Sequence, residues 1–166
     1  GDQRFRPAQV RHVECDLQTI AKLLRRVQAA QVDAHHAAET AHLLAREKRE
    51  GIAWITLNRP ERRNAISPEM LVRLRDAWRD FRDDDDARVA ILTGAGDKAF
   101  CAVADLQLLI PLFTGARKPE DEWDEALLAD RSALDSGLLR DFDLYKPVIA
   151  AVNGFALAGG TEILQA

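Results

Sequence analysis

The apolar positions change rhythm near Gly51. Before it, Val13, Leu17, Ile20, Leu24 and Val27 recur at alternating steps of four and three, and Ala34, Ala38, Ala41 and Ala45 continue the stripe through Gln31. That is the period of a helix with a narrow apolar seam. No Gly or Pro falls between Ala8 and Glu50. The pattern therefore predicts a helical extension over residues 1–50, as one long helix or a hairpin broken near Asp33. Its seam loses bulk after Val27, where seven of the seventeen residues from Ala29 to Ala45 are alanine. Such a face favours helix but packs weakly. It suits docking onto the main domain or another chain, or an extension outside the evolved domain.

From Gly51 the pattern becomes α/β. Ile52 to Leu57 reads as a strand and Asn58-Arg59-Pro60-Glu61 as a turn. Ser67-Pro68-Glu69 reads as a helix start, with a capping serine, a proline at the first helical position and a glutamate at the positive dipole end. Leu71, Leu74, Trp78 and Phe81 give that helix one apolar face. The acidic run Asp83 to Asp86 ends it as a solvated loop. Val89 to Leu92 and Val148 to Val152 read as buried strands. The first closes in Thr93-Gly94-Ala95-Gly96. The second runs into a Gly- and Ala-rich turn over residues 154–160, with a helix starting at Glu162. This order predicts β-α-β crossovers in an α/β domain over residues 51–166.

Composition narrows the function classes. The chain has 166 residues, 47% hydrophobic and 30% charged, a normal balance for one globular domain. The formal net charge is −4. Residues 1–50 hold nine Lys/Arg and seven Asp/Glu, leaving fourteen and twenty of the totals of 23 and 27 to the remainder. That acidic part has no basic stripe, so no nucleic-acid partner is expected. No stretch approaches the roughly 20 apolar residues of a membrane span, so no membrane partner is expected either. Residues 1–10 are polar, carry two arginines and do not read as a signal peptide. Two cysteines, Cys15 and Cys101, point to a reducing compartment, most simply the cytoplasm. All four histidines precede residue 50, so a Ser-His-Asp or Cys-His arrangement within the later part is excluded.

Four groups are candidates for chemistry. In Asn153 to Glu162 a strand enters a glycine-rich turn and a helix leaves it; free N–H groups there suit an anion or a developing oxyanion. A tight connection with a surface glutamate fits the same residues equally well. The stretch from Thr93 to Leu106 brings small residues close to whatever lies above it, without the spacing of a dinucleotide fingerprint. Its Cys101 reads as packed rather than reactive. His35, Glu39 and His42 share a helix face able to hold a divalent ion, although a solvated face explains them better and no metal is expected. Arg59, Arg62 and Arg63 form a phosphate contact or a solvated loop.

Taken in order, three segments resemble the crotonase (enoyl-CoA hydratase/isomerase) superfamily, and among its members the actinobacterial-type enoyl-CoA hydratases. They are Ile55-Thr56-Leu57-Asn58-Arg59-Pro60-Glu61-Arg62-Arg63-Asn64-Ala65, Ala99-Phe100-Cys101-Ala102-Val103-Ala104-Asp105-Leu106, and Lys146 through Glu162. The resemblance covers about residues 50–166 and leaves the extension outside. It implies a crotonase-like β-β-α spiral core, truncated, lacking the C-terminal helices, behind an N-terminal helical extension. It implies an acyl-CoA thioester as partner, coenzyme A being part of the substrate and no separate cofactor needed. The thioester oxygen would sit between the N–H groups of Ala104 and Gly159, each such donor typically worth ~3 kcal/mol. Glu162 would be the general acid/base of an enoyl-CoA hydratase. Arg62, Arg63, Ala65, Ala102, Ala104, Asp105, Leu106 and Gln107 would bind substrate and coenzyme A. The complete family member is expected to be a homotrimer or hexamer.

Three departures qualify the resemblance. Val103 stands where the family usually has glycine, a strained place for a β-branched residue if φ is positive there. Ala158 replaces another frequent glycine, a smaller change. The sequence ends at Ala166, whereas hydratases have a second glutamate roughly twenty residues beyond Glu162; carboxylate pairs divide the acid and base roles. The alternatives are a sibling isomerase, hydrolase or decarboxylase of acyl-CoA, a catalytically incomplete fragment or interaction module, and a metal-binding helical module.

Overall fold

The structure is a computed structural model and describes residues 43–166 together with Arg25. Arg25 is helical and exposed. The rest of the Val13–Val27 stripe, Cys15 and the His35, Glu39 and His42 group lie outside the described residues.

The last residues of the expected helical extension are strand. β1 (Leu44–Arg49) pairs antiparallel with β2 (Ile52–Leu57), in register from Leu44 opposite Leu57 to Arg49 opposite Ile52. Glu50 and Gly51 join them with φ of 52° and 76°. Positive φ at both central residues is the signature of a type I′ turn, whose twist matches that of the strands it joins. Leu44 is buried in the core, so pairing and burial override the helical propensity of Leu-Ala-Arg-Glu-Lys-Arg.

β2 leads through a short 3₁₀ turn (Pro60–Arg62) into α1 (Pro68–Asp83). The Ser67 hydroxyl accepts the Met70 N–H at 3.2 Å, and Pro68 sits in the first turn. At the far end, the Lys146 ammonium donates to the carbonyls of Phe81 and Asp84 at 2.9 and 2.7 Å, satisfying groups the helix leaves open. Leu71, Leu74, Trp78 and Phe81 are all buried, and Trp78 Nε1 donates to the Gly137 carbonyl at 3.0 Å. Each such buried side chain contributes roughly 1.5–3 kcal/mol.

β3 (Val89–Gly94) pairs parallel with β2, and β5 (Val148–Ala151) parallel with β3, giving the order β1-β2-β3-β5. β5 is an edge strand within this sheet: Ala151 is buried and Ala150 exposed, where the sequence predicts a fully buried run. A second, two-stranded parallel sheet joins β4 (Ala99–Cys101) to β6 (Phe155–Ala156). Between them lie α2 (Leu109–Thr114), α3 (Glu122–Ala129) and α4 (Ser132–Gly137). α5 (Gly159–Gln165) starts three residues earlier than the expected Glu162. The main core gathers Leu57, Met70, Leu71, Leu74, Trp78, Leu92 and Phe100 between α1 and the sheets.

Candidate active site

Two segments carry the expected thioester donors. The first runs beside the 3₁₀ turn. Ala102 N–H donates to Arg63 O at 3.0 Å, Ile66 N–H to Val103 O at 2.9 Å and Asp105 N–H to Ile66 O at 2.8 Å. Ala104 is thus bracketed in a parallel bridge with Ile66. The Val103 carbonyl points to Ile66, and in a trans peptide the following N–H points the opposite way. Ala104 therefore aims its N–H away from the 63–66 segment, and among the described residues no acceptor takes it. Val103 does not have positive φ, so the strain expected of a β-branched residue is absent. Its carbonyl accepts the Ile66 N–H beside the Ala104–Ile66 bridge.

The second segment is the turn Leu157-Ala158-Gly159-Gly160, closed by Gly160 N–H to Leu157 O at 2.9 Å. Ala158 has φ 44° and ψ −115°. That is close to the first central position of a type II′ turn, where glycine is the usual residue. Of the two glycine replacements, the one expected to be the smaller change is therefore the strained one, at a typical cost of ~1–3 kcal/mol. Gly159 is the first residue of α5, its N–H belongs to the peptide that the Ala158 ψ orients, and among the described residues no acceptor takes it. A Cβ on Gly159 would stand 2.9 Å from Ile66 Cδ1. The segments bearing both candidate donors thus meet on Ile66. Gly160 packs more tightly still, with a Cβ there falling 2.3 Å from Cys101 O.

Glu162 lies on the first turn of α5, half-exposed, its Oε2 3.2 Å from Arg140 Nη1. Arg140 also pairs with Asp135 at 2.7 Å. With both side chains more than 40% exposed, the Arg140–Glu162 pair is worth at most about 1 kcal/mol and opens readily to a ligand.

The expected coenzyme A residues separate into a packed group and a rim. Ala65, Ala102, Ala104 and Asp105 come together along the bridge. Arg62, Leu106 and Gln107 are exposed at its edge, with Arg62 Nη1 3.4 Å from Gln107 Oε1. Arg63 turns to a different small pocket of about 150 Å³ shared with Pro60, Gly96 and Lys98. The Asp105 carboxylate is fully engaged within the protein. One oxygen takes Arg59 Nη1 at 2.6 Å, the other the N–H groups of Gln107 and Leu108 at 2.8 and 3.0 Å. Burial opposes its ionisation, but these donors prevail and hold the carboxyl below its ordinary range. Towards a ligand, Asp105 offers backbone rather than side chain.

Arg59 is neither a solvated loop residue nor a surface phosphate contact. It is buried and bonded to Asp105 and, at 3.2 Å, to the Ala65 carbonyl. Asn64, also buried, accepts Arg59 N–H at 2.9 Å and donates to Ala95 O and Ala99 O at 3.0 and 2.8 Å. Sequence patterns did not single out these internal roles, because the partners lie 31 to 46 residues away. Arg140 was missed for the same reason. Cys101 is packed as expected, and burial pushes its thiol up to about 12 against a hydrogen bond from the Val103 amide. Among the described residues, no three His, Cys, Asp or Glu side chains converge to hold a metal ion. Among them, too, no helix is long and apolar enough to cross a membrane.

The family model described as enoyl-CoA hydratase/isomerase matches residues 47–166. The chain belongs to the enoyl-CoA hydratase/isomerase family. The match takes in the end of β1, a few residues before the 50–166 span of the resemblance. The chain is 39% identical over 115 residues to (E)-benzylidenesuccinyl-CoA hydratase of Thauera aromatica, covering 69% of this chain and 41% of that protein. It is 43% identical over 119 residues to enoyl-CoA hydratase EchA19 of Mycobacterium tuberculosis, covering 72% and 42%. Among solved structures, an enoyl-CoA hydratase/isomerase of Mycobacterium abscessus aligns with TM-score 0.58 and 37% identity, over 75% of this chain and 41% of that one. The chain thus spans about two fifths of the length of these relatives.

Proposed function

We propose that this family member adds water to a 2-enoyl-CoA thioester. The thioester oxygen sits between the Ala104 and Gly159 N–H groups, which take up the negative charge of the enolate as it forms. The water oxygen bonds to Cβ while the Glu162 carboxylate takes its proton. Glu162 then delivers that proton to Cα as the enolate returns to thioester. Atoms and charge balance through a single carboxylate acting first as base and then as acid. The coenzyme A moiety lies along Ala65, Ala102, Ala104 and the backbone of Asp105, reaching Leu106, Gln107 and the Arg62 cation, with Arg63, at its separate pocket, outside this path. No cofactor besides the substrate's own coenzyme A takes part. A trimeric or hexameric cytoplasmic enzyme is the setting this reading favours.

The observation that carries it is the pair of acceptor-free N–H groups on two segments that share Ile66, with Glu162 one turn further along α5. Donors held in place before the reaction are often the largest catalytic term. The test follows the loss of enoyl-thioester absorbance with the full-length protein over several acyl lengths. Glu162→Gln is expected to lower kcat by about 10²–10⁴-fold, the usual worth of a positioned acid/base. No loss of absorbance at any acyl length would overturn the reading. Hydrolysis or double-bond migration in place of hydration would reassign the protein to a sibling acyl-CoA reaction.

A further inference from the structure

We propose that Arg59 is a positioning residue for the thioester-binding amide of Ala104, acting through Asp105. The proposal rests on the oxyanion reading above and adds what aims one of its two donors.

Ala104 contributes no side chain beyond a methyl, so the direction of its N–H depends on its neighbours. Val103 and Asp105 both bond to Ile66. Asp105 is then held a second time, through its side chain, by Arg59. The guanidinium is buried, 2.6 Å from Asp105 Oδ2, and its same nitrogen reaches the Ala65 carbonyl at 3.2 Å. Asn64 in turn fixes the Arg59 backbone by accepting its N–H, and hangs from the Ala95 and Ala99 carbonyls. A continuous set of bonds thus runs from β4 and the end of β3 through Asn64 and Arg59 to Asp105, one residue from the amide. Both oxygens of Asp105 are occupied, so it has no second orientation that keeps its partners. A buried ion pair is weak evidence for stability, because desolvation offsets most of its attraction. Its directional effect is not offset: charge-assisted bonds at this distance restrict the geometry of both partners.

The test uses the full-length protein with Arg59→Met and Arg59→Lys. Two readings are taken, kcat and KM for a 2-enoyl-CoA, and the carbonyl stretch of a bound, isotopically labelled acyl-CoA thioester. Arg59→Met is expected to lower kcat by about 10- to 100-fold, the cost of a small misplacement of a catalytic group, with KM changed by less than about 3-fold. The carbonyl stretch, lowered in the wild type by the two donors, should move back towards its free value. Arg59→Lys keeps the charge without the fork and should fall between the two; it also carries the test if Arg59→Met does not fold. A role in stability alone would lower the unfolding temperature and leave the stretch of the folded protein where it was. Wild-type kcat and an unmoved stretch in a folded Arg59 variant would overturn the proposal. A wild-type protein that neither hydrates the substrate nor shifts its carbonyl would overturn the oxyanion reading itself, and the positioning role with it.

Discussion

The two segments that bear the candidate donors are held in different proportions by bonds and by shape. Residues 102–105 are held by bonds: three backbone hydrogen bonds to residues 63–66 and the buried Arg59–Asp105 pair, with no positive φ among them. Residues 157–160 have two backbone bonds, Gly160 N–H to Leu157 O and Leu157 N–H to Cys101 O, but no ion pair, and depend mainly on shape. Ala158 is strained, Gly160 packs against the Cys101 backbone with no room for a Cβ, Gly159 lies against the end of the Ile66 side chain, and the neighbouring Phe155 and Leu157 side chains are 69% and 57% exposed. A bonded segment responds to charge and pH. A fitted segment responds to single carbon atoms. The same chemical task, aiming one N–H, has two sets of vulnerabilities in one domain.

The largest break is expected on the fitted side. Gly160→Ala puts a Cβ 2.3 Å from the Cys101 carbonyl oxygen and 2.8 Å from the Cys101 Cβ. The closer neighbour is backbone of β4, which cannot swing aside as a side-chain end would. The substitution should cost about 3 kcal/mol or more, the upper range for overpacking, read as a lowered urea midpoint at unchanged slope. A loss below about 0.5 kcal/mol would mean that α5 and β4 separate easily and that shape does not hold this turn.

How far each segment could be read in advance follows from the range of its interactions. α1 was legible because its cap, proline and apolar period all lie within sixteen residues of one another. β1 was not. Its residues are good helix formers next to an alanine-rich stretch, and only the Glu50-Gly51 turn and the pairing with β2 make them strand. Ala104, Gly159 and Glu162 came from the resemblance of their local motifs. The supports of Ala104 did not, since Arg59 meets Asp105 across 46 residues. The local pattern points to strain at Val103, and the structure has it at Ala158 instead, for a related reason. The Val103 carbonyl accepts the Ile66 N–H, from another segment, and Val103 has no positive φ, whereas the Ala158 dihedrals are those of the turn itself.

On the bonded side, acid is the sharper probe. The Asp105 carboxyl lies below its ordinary value in the folded chain. A depressed folded value contributes stability that is complete above the unfolded value, about pH 3.9, and is lost as pH falls from there through the folded value. Asp124, held by Arg117, contributes in the same sense. Asp105→Asn isolates the first of these: the variant should be less stable near neutrality, and its deficit should shrink as the pH falls below about 4. Urea midpoints at a series of pH values measure it. A deficit that stays constant down to the acid transition would show that Asp105 matters by shape and not by charge, and would erase the distinction between the two segments.

The smallest effect tests strain directly, and it has the opposite sign. Ala158→Gly removes a methyl from a residue at φ 44°, ψ −115°. Relief of the strain should return about 1–3 kcal/mol, while the freer unfolded chain takes back about 0.4–1 kcal/mol. The difference favours the variant by about 1 kcal/mol, a rise in unfolding temperature of about 2–4 °C for a chain of this size. The same change at Val103 has no strain to relieve. Val103→Gly should therefore only destabilise, by the entropy of the unfolded chain and the lost packing of a half-buried side chain. Opposite signs at two sites, each next to a proposed donor, would locate the strain in the turn. Equal signs would mean that the turn carries no more strain than the bridge, and that Ala158 is comfortable where glycine was expected.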